Sequence, residues 1–477
     1  LKNELINTNN EDIEKMAQVL IQSGFLDKLK DKVSDMDDIP VEAVRQRVYD
    51  ELDTDYKGCI KQTNKNCRYV LKNDPILKNA IRYNELNERI DIVSEMPWRR
   101  VGKALCDVDE ANIIAYVETY YELKLDKVIT RNIKTVAYDN PYNPIKEKWE
   151  SLAWDGTERV RHALHHFLGA DETELNYQAL RLFMLGAISR VYDPGHKFDY
   201  MLCLVGGQGA GKSTFLRFLA MDDRYFTDDV KRLDGDDVFE KLQGHLIIEL
   251  AEMLAAIRAA NAEEIKSFIT RQTDTYRIKY DKYSSEHPRK CVFAGTSNKR
   301  QFLPPDKSGN RRFIPIECNL NKAEVHILEN EDESRHYIEQ MWAEMMVVFK
   351  SGDFTLTLSK ELQAELEALQ EGFTPEDPIE TQIINFLEET SEDYVCTMML
   401  FYEGLGHASF EIPKKWESIE IGEIMDQKVN GWKKISSHKF EKYGTQRAWV
   451  RASLSPDGFR PITDNEEIPF TIKPINE

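Results

Sequence analysis

Residues 202–220 read LCLVGGQGAGKSTFLRFLA. An apolar run, Leu202-Cys203-Leu204-Val205, predicts a buried strand, and Phe215, Leu216, Phe218 and Leu219 predict an amphipathic helix. Between them Gly206, Gly207, Gln208, Gly209, Ala210, Gly211, Lys212, Ser213 and Thr214 satisfy G-x-x-x-x-G-K-[ST] in the strand–loop–helix context that gives the motif meaning. Glycines let such a loop wrap a phosphate with its N–H groups turned inward, and the helix N-terminus adds its positive dipole end. Lys212 is then placed to reach the β- and γ-phosphates, and the Ser213 hydroxyl to ligate Mg²⁺. The residues predict a site for ATP and Mg²⁺. A plain glycine-rich turn explains neither the Lys-Ser pair nor the apolar flanks.

Phosphate transfer needs more than a loop. Residues 245–252, HLIIELAE, form an apolar strand pattern carrying two acids. An acid beside a P-loop can hold Mg²⁺ through water or orient the attacking water. Glu249 is assigned to the metal side and Glu252 to water activation, although the reverse division fits the spacing equally well. Residues 290–298, KCVFAGTSN, predict a second buried strand, which ends in Asn298, a group able to sense a γ-phosphate. Arg311 and Arg312 precede the apolar run Phe313–Ile316. One of them is expected as a finger stabilising the transferring phosphoryl group, often supplied by a neighbouring subunit.

The surrounding composition fits a large multi-domain protein. The chain has 477 residues, 41% hydrophobic and 31% charged, enough for two to four domains with real cores. No apolar run is long enough for a bilayer and no cleavable signal stands out, so a cytoplasmic protein is expected. Seven cysteines (59, 67, 106, 203, 291, 318, 396) show no C-x-x-C pair, which reads as reduced thiols and no zinc site. His162, His165 and His166 lack carboxylate or cysteine partners at ligand spacing and read as packing residues. The net charge of −20 weighs against nucleic acid, but a ring or cleft can be basic inside and acidic outside.

The predicted order is multidomain: a helical appendage over residues 1–75, a mainly helical region over 76–180, an α/β P-loop AAA+-like ATPase core over 181–370, and a winged-helix-like domain over 379–477. Thr374-Pro375-Glu376-Asp377-Pro378 is the linker. The last domain shows helix patterns followed by an alternating strand with Lys433, Lys434, Lys439, Lys442 and Arg447, the densest positive stretch of the chain. Such a domain reads duplex DNA by inserting a helix into the major groove, or serves protein contacts alone.

The ordered set P-loop, ELAE, Asp274/Tyr276/Arg277/Tyr280, Pro288-Arg289, GTSN and GNRRF resembles the virulence-associated protein E family, with Trp154-Asp155-Gly156 and the Arg190 helix upstream adding to the likeness. The resemblance covers roughly residues 80–320. It departs from many AAA+ proteins in having E-x-x-E in place of adjacent acids. It implies a superfamily-three, AAA+-type helicase and a replication initiator of a phage or pathogenicity island. It further implies a hairpin before the sensor strand that projects into a ring channel, with Lys279, Lys282 and Tyr283 near its tip and Arg277 and Arg289 on its stems. Those two arginines are equally readable as nucleotide-site or interface residues. Expected partners are single-stranded DNA in the channel, duplex origin DNA at the C-terminal domain, further copies of the chain in a hexamer, and other replication proteins. Two alternatives remain: a helicase loader or remodeller, and a DNA-binding regulatory or defence switch.

Overall fold

The computed structural model describes residues 40–230, 233, 238–251, 259–277, 283–304, 310–375 and 377–452. Its first unit packs the helices Val41–Asp50, Asn64–Asn73, Asp107–Tyr121 and Asp126–Tyr138 around a small sheet. The sheet pairs β1 (Ile81–Asn84) with β2 (Arg89–Ile92) antiparallel and with β3 (Pro141–Tyr142) parallel. Helix Asp126–Tyr138 shows why it folds here: Ile129, Ile133, Val136 and Ala137 recur on one face, and all are buried. That core joins Val48, Val70 and Leu71 to Ile113, Val117 and Ile133. Residues on both sides of position 75 therefore share one interior, and the boundary expected there does not separate two domains.

Residues 144–192 belong instead with the half of the chain that carries the loop 206–211. Asn143 caps helix Pro144–Ser151 by accepting from the Ile145 and Lys146 amides, with Pro144 at the first turn where its missing N–H costs nothing. Trp149 on that helix packs on Trp342 of helix Glu331–Ser351, ring centroids 4.8 Å apart. Helix Glu174–Tyr192 is buried along most of its length. At Gly186 a Cβ would lie 2.5 Å from the Phe198 ring, so only glycine admits that ring.

The central sheet consists of β4 (Met201–Val205), β5 (Phe226–Thr227), β6 (Ile247–Ala251), β9 (Val292–Ser297) and β10 (Phe313–Glu317), in the order β10-β4-β9-β6-β5. Every pairing in it is parallel. β4 and β9 are buried at every residue, as parallel strands covered on both faces must be. Outside this sheet, β7 (Thr273–Tyr276) and β8 (Ser285–Pro288) form an antiparallel hairpin.

The C-terminal unit runs helix Pro378–Glu389, β11 (Tyr394–Cys396), helix Thr397–Met399 continued as a π turn, helix Lys415–Gln427, β12 (Trp432–Phe440) and β13 (Gly444–Arg451). Its antiparallel sheet has the order β11-β13-β12 and closes over a core of Ile383, Leu387, Phe401, Ile424 and Trp449. No helix among the described residues is long and apolar enough to cross a membrane.

Candidate functional site

The loop 206–211 emerges from the carboxyl end of β4, where ligands of parallel sheets bind. Gly206 is required sterically, because a Cβ there would sit 2.4 Å from the Cys318 carbonyl oxygen at the end of β10. Gly211 closes the loop at φ 73°, a left-handed conformation that also sets the first turn of helix Lys212–Leu219. Gly207, Gln208 and Gly209 are exposed, so the loop's backbone faces open space.

Lys212 is buried and its Nζ donates to the carbonyl oxygens of Gly206 and Gly207, both at 2.7 Å, and to Asn298 Oδ1 at 3.1 Å. Burial lowers its pKa. Glu249 lies in β6, separated from β4 by β9, and its carboxylate is fully buried. Oε1 accepts from Ser213 Oγ at 2.7 Å and from Thr296 Oγ1 at 2.5 Å. Oε2 is buried without a hydrogen-bond partner among the described residues. Burial raises the Glu249 pKa, against which the two hydroxyl donors act. A buried carboxylate oxygen left open beside a P-loop serine fits a site for a hydrated divalent cation, which would satisfy that oxygen and offset the charge.

Sequence reasoning missed Thr296. It stands next to the carboxyl end of β9, two residues before Asn298. Beside Gly206, Gly207 and Asn298 opens a cavity of about 410 Å³, whose far wall includes the ion pair Lys322–Asp171 at 2.7 Å.

Arg311 and Arg312 lie away from this loop. They precede Phe313, which pairs with Met201 at the opposite end of β4. A strand of this length puts them about 16 Å from the P-loop of their own chain, at about 3.3 Å per residue. Arg312 Nε donates to Thr270 Oγ1 at 3.1 Å and lies 3.6 Å from Asp199, whereas Arg311 is exposed. Glu252, Lys279 and Lys282 lie outside the described residues, and Tyr283 is exposed.

Arg289 proves to be an internal group. Its guanidinium is buried, bonds Asp274 in a two-point pair at 2.6 and 2.8 Å, and packs over the Phe268 ring. Arg190, also fully buried, donates to the carbonyl oxygens of His196, Phe198 and Cys291. Burial lowers its pKa to about 10.

In the C-terminal unit the basic stretch falls on the β12–β13 hairpin, where Lys433, Lys439 and Arg447 are exposed. Lys434 is paired with Asp426, and Lys442 with Glu403 at 2.9 Å. The charges of this unit are divided unevenly between its hairpin and its helices. Helix Lys415–Gln427 carries Glu417, Glu420, Glu423 and Asp426 against a single lysine, and such a face is repelled by phosphates.

Comparison with known proteins bears on the middle of the chain. A family model described as "Virulence-associated protein E-like domain" matches residues 149–375. The match spans just under half of the chain. It begins at Trp149 and ends in the linker, so it takes in the helices that pack under the sheet as well as the P-loop. Among solved structures, the apo A form of the NrS-1 C-terminal region (305–718) is 15% identical, with 82% of this chain and all of that one covered at a TM-score of 0.47. A second A-form structure of the same region is 15% identical, covering 78% and 96% at a TM-score of 0.43. No curated protein matches the chain.

Proposed function

We propose that the chain is an ATP-driven DNA helicase and replication initiator of a phage or other mobile genetic element, working as a ring around an AAA+-type core. The observation that carries the proposal is the convergence of Lys212, Ser213, Glu249, Thr296 and Asn298, from one helix and two strands with the residue that follows β9, at the carboxyl ends of a parallel sheet.

In this reading the loop amides and Lys212 bind the triphosphate, and Asn298 lies within reach of its terminal phosphate. Lys212 and Asn298 already touch, so phosphate arriving at one disturbs the other. Ser213 and Glu249 would hold Mg²⁺, which neutralises charge on the phosphates. Thr296 fixes the Glu249 carboxylate, and Glu252 is assigned to orient the attacking water. Arg311 is preferred as the finger for a neighbour's site, because Arg312 is engaged by Thr270 and Asp199 within its own chain. The distance of both from their own P-loop favours action across a subunit boundary, and hence a ring.

The β7–β8 hairpin is assigned to single-stranded DNA, through Lys279, Lys282 and Tyr283. The C-terminal unit, with its helix–strand–helix–helix–hairpin order, is assigned as a winged helix that meets duplex DNA through Lys433, Lys439 and Arg447 on its wing. ATP turnover by the full chain, with and without single-stranded DNA, tests the proposal. Stimulation by DNA supports the motor; turnover indifferent to DNA supports the loader or switch, and no turnover removes the enzyme.

A further inference from the structure

The turn joining β1 to β2 leaves its own unit and enters the other half of the molecule. Leu86 is buried within the core that also holds Trp149, Phe215 and Trp342. Asn87 lies against Gly244, where a Cβ would come within 3.1 Å of the Asn87 Cβ. Glu88 follows at φ 57°, a left-handed conformation unfavourable for a glutamate and held only by what surrounds it.

The Glu88 carboxylate is where the two halves meet most closely. It pairs with His287 Nδ1, accepts from Lys290 Nζ at 2.5 Å, and accepts from Gln243 Nε2 at 3.3 Å. The Glu88, His287 and Lys290 side chains are 13, 8 and 13% exposed. His287 belongs to β8, and Tyr276 of β7 stacks on its ring at 3.9 Å. Lys290 stands just before β9, the strand whose other end carries Thr296 and leads into Asn298. One carboxylate from the N-terminal unit therefore grips both the hairpin and the root of the strand that reaches the nucleotide site.

We infer that Glu88 is a positioning residue that couples the N-terminal unit to the β7–β8 hairpin and to β9, so that displacement of the hairpin by a DNA strand is felt at the nucleotide site. The physical basis is that a desolvated carboxylate with two basic partners has one good arrangement. Shifting the hairpin without the turn would part Glu88 from His287, and shifting the root of β9 would part it from Lys290, either of which leaves buried polar groups short of a partner at a cost. This inference rests on the assignment of the hairpin to DNA.

The test uses the full chain. In Glu88→Gln, turnover without DNA and the KM for ATP stay at wild-type values, while the stimulation by single-stranded DNA falls about tenfold, in the range of ordinary coupling between sites. Glu88→Asp restores part of the stimulation. Lys290→Met, which opens the same ion pair from the other side, reproduces the loss and serves if the first variant does not fold. Full stimulation in folded Glu88→Gln overturns the inference. Amide hydrogen exchange separates this outcome from failure of the motor itself, since it needs no activity. If the wild type does not turn over ATP, the coupling still requires faster exchange across Thr273–Tyr276 and Ser285–Pro288 in Glu88→Gln, and unchanged protection overturns it.

Discussion

The Ser213 hydroxyl donates to the Glu249 carboxylate at 2.7 Å, joining the first turn of the P-loop helix to a strand two places away in the sheet. Across that gap lies Thr296, which donates to the same oxygen. The other Glu249 oxygen has no partner among the described residues. The Ser213–Glu249 pair defines one side of the proposed Mg²⁺ site.

Glu249→Gln should bind ATP and lose hydrolysis by about a hundred- to ten-thousand-fold, the range for removing a group that prepares the attacking water or its metal. Isothermal titration with ATP and Mg²⁺, beside a turnover assay, checks both halves. Retained hydrolysis would remove Glu249 from the metal side.

The same carboxylate should shape stability without ligands. Its folded pKa is raised above the ordinary 4.5 by burial, so the folded state binds a proton more tightly than the unfolded state. Stability from this group is therefore lost as pH rises from about 4.5 through the raised value, and regained on acidification. Glu249→Gln should flatten that part of the Tm-against-pH curve and stand above wild type near neutrality. An unchanged slope would contradict the assigned burial.

Arg289→Ala should be expensive for folding whatever its effect on DNA. Removing it leaves Asp274 buried without its guanidinium partner, a loss of about 3–5 kcal/mol by comparison with other broken buried pairs. Denaturant unfolding measures it. A cost under about 1 kcal/mol, the size of a surface pair, would place Arg289 outside the interior.

These cases show what could be read from residue order. The P-loop was legible because its glycines, its lysine and its apolar flanks are consecutive, and β4 and β9 because buried parallel strands are unbroken apolar runs. Arg289 was not. An arginine on a hairpin stem looks the same whether it faces phosphate or Asp274, fifteen residues away. The single core spanning position 75 was hidden for the same reason, since pairs such as Arg45 with Tyr116 join residues 71 positions apart. Glu88 meeting His287 across 199 residues left no trace in spacing at all.

Placing duplex DNA on the wing gives a salt signature. Lys439→Ala with Arg447→Ala should weaken duplex binding and reduce the slope of log K against log[salt] by about 1 for each phosphate no longer neutralised. Glu423→Ala, on the acidic helix, should leave the slope alone. If the helix variant changes binding and the hairpin pair does not, the DNA face has been placed on the wrong element.

Arg311 should act on a neighbour. Arg311→Ala and Lys212→Ala should each be inactive alone, the latter by about a hundredfold or more as for other lost charge-stabilising donors. Mixed together they should recover part of the wild-type turnover, because some boundaries then pair an intact P-loop with an intact arginine. No recovery in assembled mixtures would return Arg311 to a role within its own chain.

The most direct measurement is ATP-dependent separation of a forked DNA duplex by the full chain, with Lys212→Ala beside it. The motor reading expects strand separation by wild type that requires hydrolysable ATP and Mg²⁺, and none by Lys212→Ala. Wild type that hydrolyses ATP in the presence of DNA yet never separates strands would contradict it.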